Sequence, residues 1–389
     1  MKLNLIIPSF YPAVIYGGPI FSSLNASKEL AKLYDIEVFV STTNTNMYSK
    51  LDVKTNVDIE FEKDFYVKYY DETFVDKFSL ALFLNVYKDI KRADVVHVQY
   101  IFNTPTPWAL LLAKFYNKPV LLSTRGVFCK WCLAQGSRFK RLWLNLLIKP
   151  FAKKIYWHAT AQQEKDEILA VFPDAKVTVI PNGIHSEEFK VFNVLSKNEY
   201  TEKFLGTMIE AKKIVVSMGR LQKKKGFDIL VNSFVEVLKY EPNSLLLIAG
   251  DDEGEKGNLL SLIKKLELTS HVFLVGSIQA QDKIDFLANA DLFALSSHNE
   301  NFGNVYIEAL ASGTPIVASQ GTPWSEVEEY ECGKWVENSV VETSNAIVKI
   351  LQMDRDIMRI NSMKLATKYD WKYIAIQFKE LYDKMIDEN

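Results

Sequence analysis

Short runs of β-branched and other apolar residues alternate with segments of helical periodicity along most of the chain. Runs of this kind are typical of strands buried on both faces of a parallel sheet. The segments between them are long enough for the crossover helices that parallel strands require. The first series of runs lies at 3–7, 36–40, 95–98, 120–123, 155–159 and 177–180, and the second at 214–217, 245–249, 272–275, 292–295 and 315–318. The pattern therefore predicts an α/β chain with two doubly wound, Rossmann-like sheets.

The length of the chain predicts two domains, because 389 residues exceed what one ordinary hydrophobic core organises. The alternation lapses after Pro181-Asn182-Gly183 into the polar segment 186–212, so we predict one domain over 1–190 and a second over 191–370. The amphipathic stretch 371–389 is predicted to form a helix that packs back on the first domain. Its expected apolar face consists of Tyr373, Ile376, Phe378, Leu381 and Met385.

The composition is that of a soluble globular protein, with 48% hydrophobic and 24% charged residues. Three cysteines cannot build a disulfide framework, and the C-x-x-C at Cys129 and Cys132 lacks the further ligands that a zinc site needs. The opening sequence MKLNLIIP reaches a proline too early for a signal peptide or a spanning helix. We therefore expect a cytoplasmic protein.

Positive charge is concentrated in one part of the chain, although the net charge is −2. Between Asp94 and Glu164 lie ten Lys or Arg residues, four of the seven tryptophans and no acid. Basic residues among large aromatics suit an anionic, partly apolar surface such as a membrane, whereas the acidic overall balance argues against nucleic acid. The large apolar residues of segment 137–155 have helical spacing: Phe139, Leu142, Trp143, Leu146 and Leu147. This segment is predicted to lie on an anionic membrane surface, with a core helix whose lysines face solvent as the alternative.

The most specific motif lies between Ser296 and Ser319, SSHNENFGNVYIEALASGTPIVAS, where a predicted strand gives way to a predicted helix. Glu300 and Glu308 stand eight positions apart around Gly303, which permits close approach of a ligand to the backbone. The N–H groups of a first helical turn can receive anionic or hydroxyl oxygens, and carboxylates accept hydrogen bonds from ligand hydroxyls. Taken singly, each of the two acids would instead be a solvated surface residue.

This segment resembles the E-x7-E motif of the family 4 retaining glycosyltransferases of the GT-B superfamily, with their A-x-G-x-P-[IV]-[IV]-A continuation at 311–318. The resemblance implies a GT-B fold, in which two Rossmann-like domains face each other across a cleft. The first domain would bind an acceptor and the second a nucleotide sugar. Glu300 would contact hydroxyls of the donor sugar, and Glu308 the ribose of the nucleotide. The other donor-binding residues of this segment would be Asn301, Phe302, Gly303, Asn304 and Val305.

Two cations, Arg220 and Lys225, follow the first strand of the second series in the sequences SMGRL and KGFD. A single loop cation is usually solvated, but these sequences are similar to the family's G-R-L and K-G-[FY]-D elements, whose cations hold the donor diphosphate. Cations in that place stabilise the negative charge that grows on the leaving diphosphate. The resemblance therefore implies catalytic roles for Arg220, Lys225 and Glu300, and retention of configuration.

The sequence contains no nucleophile beside an activating base, which argues against double displacement. We therefore hypothesise a front-face transfer in which a diphosphate oxygen helps to accept the proton of the incoming hydroxyl. Asp251 and Asp252 resemble a metal-binding pair, but no other hard ligands gather with them. We expect no metal cofactor, and the nucleotide-diphosphate sugar enters as a co-substrate.

The first half of the chain offers weaker candidates for the donor site. Gly17 and Gly18 are similar to the family's glycine loop beside the donor phosphates, and Asn182 in VIPNGI matches a family hallmark near the cleft. His97 ends the strand of DVVHVQY, where many relatives have a histidine. It is either a catalytic residue or a buried histidine with satisfied nitrogens.

Arg125 stands where many relatives place a histidine that is important for activity. It cannot shuttle protons, but as a permanent cation it is a candidate to bind an acceptor sugar or phosphate. Glu164 is a second candidate for the acceptor site, whereas His158 in WHAT is expected to be structural.

The predicted function is transfer of a hexose from a nucleotide-diphosphate sugar to a glycan acceptor. We expect a lipid-diphosphate-linked acceptor at the inner leaflet of the cell membrane, as in surface polysaccharide or lipopolysaccharide assembly. Two alternatives stay open. One is a nucleotide-sugar epimerase on the same fold, and the other is a non-catalytic protein that binds sugar nucleotides.

Overall fold

The computed structural model describes residues 1–47, 49–73, 77–129, 138–190 and 192–389. It divides into two compact units. The first unit consists of Met1–Gly183 and Trp371–Asn389, and the second of Ile184–Asp370. The boundary after Gly183 precedes the predicted one at 190 by a few residues. Cys132 of the C-x-x-C lies outside the described residues, and Cys129 is buried.

The first unit is built on a large sheet covered by helices on both faces. Its strands are β1 (Lys2–Ser9), β2 (Glu37–Thr43), β3 (Thr45–Asn46), β4 (Ser49–Lys50), β5 (Ile59–Glu62), β6 (Phe65–Tyr70), β7 (Val95–Gln99), β8 (Val120–Ser123), β9 (Tyr156–Ala159) and β10 (Lys176–Val179). Eight of them form the sheet in the order β10-β9-β8-β7-β1-β2-β6-β5, while β3 and β4 pair separately. Neighbouring strands of the large sheet are parallel, except β5 and β6.

The helices of the first unit are α1 (Gly18–Ala31), α2 (Leu80–Arg92), α3 (Pro105–Phe115), α4 (Arg138–Trp143), α5 (Gln162–Val171) and, far along the chain, α14 (Trp371–Asp387). Successive side chains of β1 enter opposite cores, as the pleat of a strand requires. Leu5 and Ile7 pack in one apolar cluster and Ile6 in the other. The sequence pattern missed β5 and β6, because β6 alternates buried and half-buried residues and carries a lysine.

The second unit is a smaller sheet in which all neighbouring strands are parallel. Its strands are β11 (Lys213–Met218), β12 (Ser244–Ala249), β13 (Val272–Gly276), β14 (Leu292–Leu295), β15 (Ile316–Ser319) and β16 (Gly333–Val336). Its helices are α6 (Lys197–Leu205), α7 (Phe227–Tyr240), α8 (Lys256–Lys265), α9 (Ala280–Ala288), α10 (Asn304–Ala311), α11 (Glu326–Glu329), α12 (Val340–Leu351) and α13 (Arg355–Lys368). The predicted fold class, two Rossmann-like parallel sheets, is confirmed.

The strand orders locate the ligand-binding edge of each sheet. The second sheet has the order β13-β12-β11-β14-β15-β16, so the chain reverses its direction of travel between β11 and β14. In the first sheet the reversal lies between β1 and β7. Ligands of open parallel sheets bind at such a switch point, beyond the carboxyl ends of the strands.

Helix α14 packs against α1 in the first unit. Its buried face differs in part from the expected one. Tyr373 and Ile376 are exposed, and Ile374 and Tyr382 are buried instead. The buried positions of this helix are Trp371, Ile374, Ala375, Phe378, Leu381, Tyr382 and Met385. These positions form one continuous face with a period of 3.6 residues. Tyr373 and Ile376, the first two residues of the expected set, lie outside that face.

Segment 138–155 is not one continuous α-helix. It begins as α4, continues as a π-helical stretch over Leu144–Ile148 and ends in turns. Ser137 lies outside the described residues. Leu144 and Ile148 are buried, whereas Phe139, Leu142 and Leu146 are exposed.

Candidate functional site

The two strongest motifs meet at the switch point of the second unit. Arg220 follows the carboxyl end of β11, and Glu300 follows that of β14. The two loops touch at Gly226, which precedes α7 with φ of 63°. A Cβ atom at Gly226 would lie 2.0 Å from the carbonyl oxygen of Ser296. This glycine therefore lets the KGFD loop approach the start of the E-x7-E motif.

Lys225 and Glu300 form a largely buried ion pair at this edge. The Nζ of Lys225 lies 2.6 Å from Oε1 of Glu300, and the Oγ of Ser297 donates to the same oxygen at 2.7 Å. Burial alone would raise the pKa of Glu300, but Lys225 and Ser297 outweigh burial and hold that pKa below its ordinary value. The carboxylate of Glu300 is therefore ionised at neutral pH and can accept hydrogen bonds from hydroxyl groups.

Arg220 is more accessible than Lys225. Its Nη1 donates to Oε1 of Glu253 at 2.8 Å, and 57% of its side chain is exposed. Exposed ion pairs of this kind contribute little to stability, about 0–1 kcal/mol. An anionic ligand can therefore recruit Arg220 at small cost.

Helix α10 begins directly after Gly303, which adopts φ of 77°. Phe302 is a buried anchor for this helix end, because its ring packs against Trp324 and its carbonyl oxygen accepts from the Trp324 Nε1. Asn301, Asn304 and Val305 surround that anchor in the chain. The structure thus brings Lys225, Glu300 and the start of α10 to one edge of the sheet.

A second group of predicted residues meets at the switch point of the first unit. The Nε and Nη2 of Arg125 lie 2.9 and 2.7 Å from Oε1 of Gln99, and the Nη1 lies 3.2 Å from Oδ1 of Asn182. Burial lowers the pKa of Arg125, but a guanidinium remains charged at neutral pH. Gly17 lies on the same side of the sheet, in the loop that joins β1 to α1, with φ of 78° and no atom near its Cβ direction. Gly18 opens α1.

His97 belongs to a buried chain of hydrogen bonds. Its Nδ1 lies 2.8 Å from the hydroxyl of Tyr382, and its Nε2 lies 2.7 Å from the Oγ of Ser123. The Oγ of Ser123 also contacts Nδ1 of His158 at 2.7 Å, and the Nε2 of His158 contacts the carbonyl oxygen of Ile180 at 2.7 Å.

The carbonyl of Ile180 fixes which atom donates and which accepts in each hydrogen bond of this series. A carbonyl only accepts, so Nε2 of His158 carries the proton and its Nδ1 accepts from Ser123. Ser123 then accepts from the Nε2 of His97, and Nδ1 of His97 accepts from Tyr382. Both histidines are neutral and have both nitrogens engaged. The position of His97 is therefore that of a buried residue that ties α14 to the sheet, and His158 is structural as expected.

A small cavity lies beside this series of hydrogen bonds. It has a volume of about 20 Å³ and is lined by residues that include Ser23, His97, Arg125, Asn182 and Tyr382. That volume holds one water molecule and no sugar. Any acceptor at Arg125 must therefore approach from outside this cavity.

Glu164 is buried and binds the residues on either side of Arg125 in its loop. It is 2% exposed. Its Oε1 accepts from Gly126 N at 2.7 Å and from Thr124 Oγ1, and its Oε2 accepts from the N and Oγ1 of Thr160 at 2.7 and 2.9 Å. These four donors occupy the carboxylate. The structure thus places Glu164 as a buried support for the Arg125 loop, with both of its carboxylate oxygens engaged.

Two family profiles match the two halves of the chain. The profile described as Glycosyl transferases group 1 matches residues 201–364, and the one described as Glycosyltransferase Family 4 matches residues 16–188. Together they account for most of the sequence. The chain belongs to the group 1, family 4, glycosyltransferases.

Several relatives resemble this glycosyltransferase over part of their length. An uncharacterized glycosyltransferase of Methanocaldococcus jannaschii is 27% identical over 225 residues, which are 56% of this chain and 57% of that protein. A GDP-mannose:cellobiosyl-diphosphopolyprenol alpha-mannosyltransferase of Xanthomonas oryzae is 25% identical over 303 residues, 75% of this chain and 74% of the relative. Anabaena Alr3699/HepE, solved in complex with UDP, has a TM-score of 0.72 at 17% identity, with 99% of this chain and 100% of that chain covered.

Sequence reasoning missed Lys283, which pairs with Glu308 at the carboxyl edge of the second sheet, the edge with Arg220, Lys225 and Glu300 that is called the donor edge below. Lys283 on α9 places its Nζ 2.8 Å from Oε1 of Glu308 on α10. In the sequence it is an ordinary lysine in the middle of an amphipathic helix, typical of a solvated side chain. Only the packing of α9 beside α10 reveals its partner.

The two neutral histidines predict a pH dependence of stability for this glycosyltransferase. Burial lowers the pKa of His158 to about 4 and that of His97 well below 6.5. An unfolded histidine has a pKa near 6.5. Below that pH the unfolded state therefore binds more protons than the folded state. Stability is therefore full above about pH 6.5 and falls toward pH 4 by about 1.4 kcal/mol per pH unit for each histidine. Urea unfolding at pH 7, 6 and 5 measures this slope, and His158→Gln should make it shallower. An unchanged slope in the variant would contradict the assignment.

Proposed function

We propose that this protein is a retaining enzyme that transfers a hexose from a nucleotide-diphosphate sugar to a glycan acceptor. The observation that carries the proposal is the convergence of Lys225, Glu300 and the start of α10 at the switch point of the second sheet. Arg220 lies after the neighbouring strand β11. A pair of cations beside an ionised carboxylate suits a ligand that joins a diphosphate to a polyhydroxylated ring.

The proposed chemistry follows from these charges. As the bond between the sugar and the phosphate breaks, negative charge grows on the leaving diphosphate, and Lys225 and Arg220 stabilise it more than the ground state. Glu300 accepts hydrogen bonds from the sugar hydroxyls and fixes the ring. A diphosphate oxygen helps to take the proton of the incoming hydroxyl, so transfer occurs on one face with retention. In the first unit, Arg125 and Asn182 are proposed to bind polar groups of the substrates, with Arg125 directed at the acceptor.

We propose that no metal ion takes part. The positive charge that a metal would supply at the diphosphate comes instead from the side chains of Arg220 and Lys225. Within the described ranges, no group of three or more His, Cys, Asp or Glu side chains is arranged to hold a metal. Full transfer activity in the presence of EDTA is the expected result, and loss of activity that Mg²⁺ or Mn²⁺ restores would refute the proposal.

For the acceptor we propose a lipid-diphosphate-linked glycan on the cytoplasmic face of the cell membrane, in surface polysaccharide or lipopolysaccharide assembly. The relative from Xanthomonas oryzae has, by its name, a diphosphopolyprenol-linked acceptor. None of the helices in the described residues has the length and apolar character that crossing a bilayer demands. We propose that exposed surface residues make the contact with the membrane.

Segment 138–155 offers such a surface. Phe139 and Leu146 are 70% and 62% exposed, and Leu142 lies exposed between them. Lys149 and Lys153 are exposed on the following turns. Exposed apolar residues beside lysines favour an interfacial segment over a core helix, because the core alternative requires these side chains to be buried.

A flotation assay tests the membrane proposal. The wild type should bind vesicles that contain phosphatidylglycerol more strongly than vesicles of phosphatidylcholine alone, and Leu142→Glu should weaken binding by about tenfold or more. Ile360→Glu is the matched control, since Ile360 is similarly exposed but lies on α13 of the second unit. Equal binding to both kinds of vesicle would remove the electrostatic part of the proposal.

A thermal-shift panel of nucleoside diphosphates and their sugars tests the donor proposal. A ligand that binds only the folded state raises the melting temperature. We expect one nucleotide family to do so, and Lys225→Met to abolish the shift. Incubation of that donor with and without a lipid extract then distinguishes the activities. Conversion of the donor alone into an isomer would identify an epimerase, and binding without any turnover would identify a non-catalytic protein.

A further inference from the structure

Lys283 and Glu308 form an ion pair between two neighbouring helices at the donor edge of the second sheet. The Nζ of Lys283 lies 2.8 Å from Oε1 of Glu308, and the two side chains are 27% and 19% exposed. The pair joins α9 to α10 and lies outside the loops that carry Arg220 and Lys225. No sequence motif contains Lys283.

The ammonium group of Lys283 is held on a second side by an aromatic ring. Its Nζ lies 5.6 Å from the ring centroid of Phe189, which is buried. A cation over a ring at this distance is attracted by the negative face of the ring. The carboxylate and the ring together fix a side chain that would otherwise be mobile. Lys283 thus has a defined position, unlike a solvated lysine.

Electrostatics gives this arrangement a consequence for the donor. Glu308 is one α-helical turn beyond the start of α10, where the proposed diphosphate lies. An ion pair to one oxygen fixes the orientation of the carboxylate at that place. The ammonium of Lys283 contacts Oε1, so Oε2 is the oxygen that Lys283 leaves for a further hydrogen-bond donor.

We propose that Lys283 is a positioning residue for the nucleotide ribose, which acts by holding the carboxylate of Glu308 oriented toward the ribose hydroxyls. This inference rests on the proposed function, since it requires a nucleotide at the donor edge. Lys283 touches no reacting atom. Its effect therefore falls on the affinity for the nucleoside part of the donor and leaves the chemical step unchanged.

The experiment compares ribose and deoxyribose forms of the nucleoside diphosphate that the wild type binds. Isothermal titration of Lys283→Met should show about tenfold weaker binding of the ribose form, the usual effect of losing support for a hydrogen bond to a charged group. The 2′-deoxy and 3′-deoxy forms should bind wild type and variant with similar affinity. Lys283→Arg should restore most of the discrimination, because it keeps the charge. In turnover assays KM for the donor should rise while kcat stays within about twofold.

Lys239→Met is the matched control, because Lys239 also pairs with a glutamate on the second unit, Glu236, but lies away from the donor edge. It should change neither affinity. A Lys283→Met protein that loses affinity equally for ribose and deoxyribose forms has only a general structural defect, and this result overturns the inference. Unchanged affinity overturns it as well. If the wild type binds no nucleoside diphosphate at all, the proposed function itself fails, so the two failures are distinguishable.

Discussion

Replacing Lys225 with methionine is expected to lower kcat/KM for sugar transfer by about 10²–10³-fold. The side chain of Lys225 is largely buried at the donor edge, with 14% of it exposed. A cation that is already in place and poorly hydrated stabilises the leaving diphosphate more strongly than a mobile surface charge. The substitution also leaves the carboxylate of Glu300 with Ser297 as its remaining partner, so orientation of the sugar is impaired as well.

Lys223→Met is the control for this prediction. Lys223 belongs to the same 3₁₀ turn, Lys223–Lys225, and its side chain is exposed. Its loss removes the same charge from the same loop without touching Glu300, so kcat/KM should change by less than about threefold. Both variants should melt at temperatures close to that of the wild type. A Lys225→Met protein that keeps more than about a tenth of the wild-type kcat/KM would refute the role of Lys225 in stabilising the leaving group.

The sequence predicts which side chains meet at the donor edge because their positions are encoded locally. Arg220, Lys225, Glu300 and Gly303 each lie in the loop that follows a strand, and the carboxyl ends of parallel strands share one edge of the sheet. Apolar runs predict the central strands for a similar local reason, since both of their faces are buried. Such information needs no knowledge of which distant segments meet.

What the sequence leaves open depends on packing between distant segments. Lys283 gains its partner only because α9 packs beside α10. The position of His97 is decided by Tyr382, which is 285 residues away in the chain. Glu164 is an ordinary acid at the start of a helix until the loop at Gly126 folds over it. A single side chain carries no pattern from which such contacts can be predicted.

Gly226→Ala is expected to destabilise the second unit by about 3 kcal/mol. Two costs add up. The left-handed φ of 63° is unfavourable for alanine by about 1–2 kcal/mol, and the new Cβ would lie 2.0 Å from the carbonyl oxygen of Ser296 and 2.9 Å from its carbon. Backbone atoms at that distance must move apart. The loop after β14 carries Ser297 and Glu300, so the displacement also reaches the donor site.

Gly206→Ala separates the two costs. Gly206 has a similar φ of 73° after α6, but no atom lies within 4 Å of its Cβ direction. The Gly206→Ala variant should therefore be destabilised only by the cost of the left-handed φ. Its melting temperature should fall by roughly 2–8 °C, against roughly 6–12 °C for Gly226→Ala. Donor binding should weaken in Gly226→Ala alone, because only there does the strain fall on the loop that holds Lys225 beside Glu300. If the two variants melt alike and bind donor alike, the close approach of the two loops at Gly226 is not what organises the donor edge.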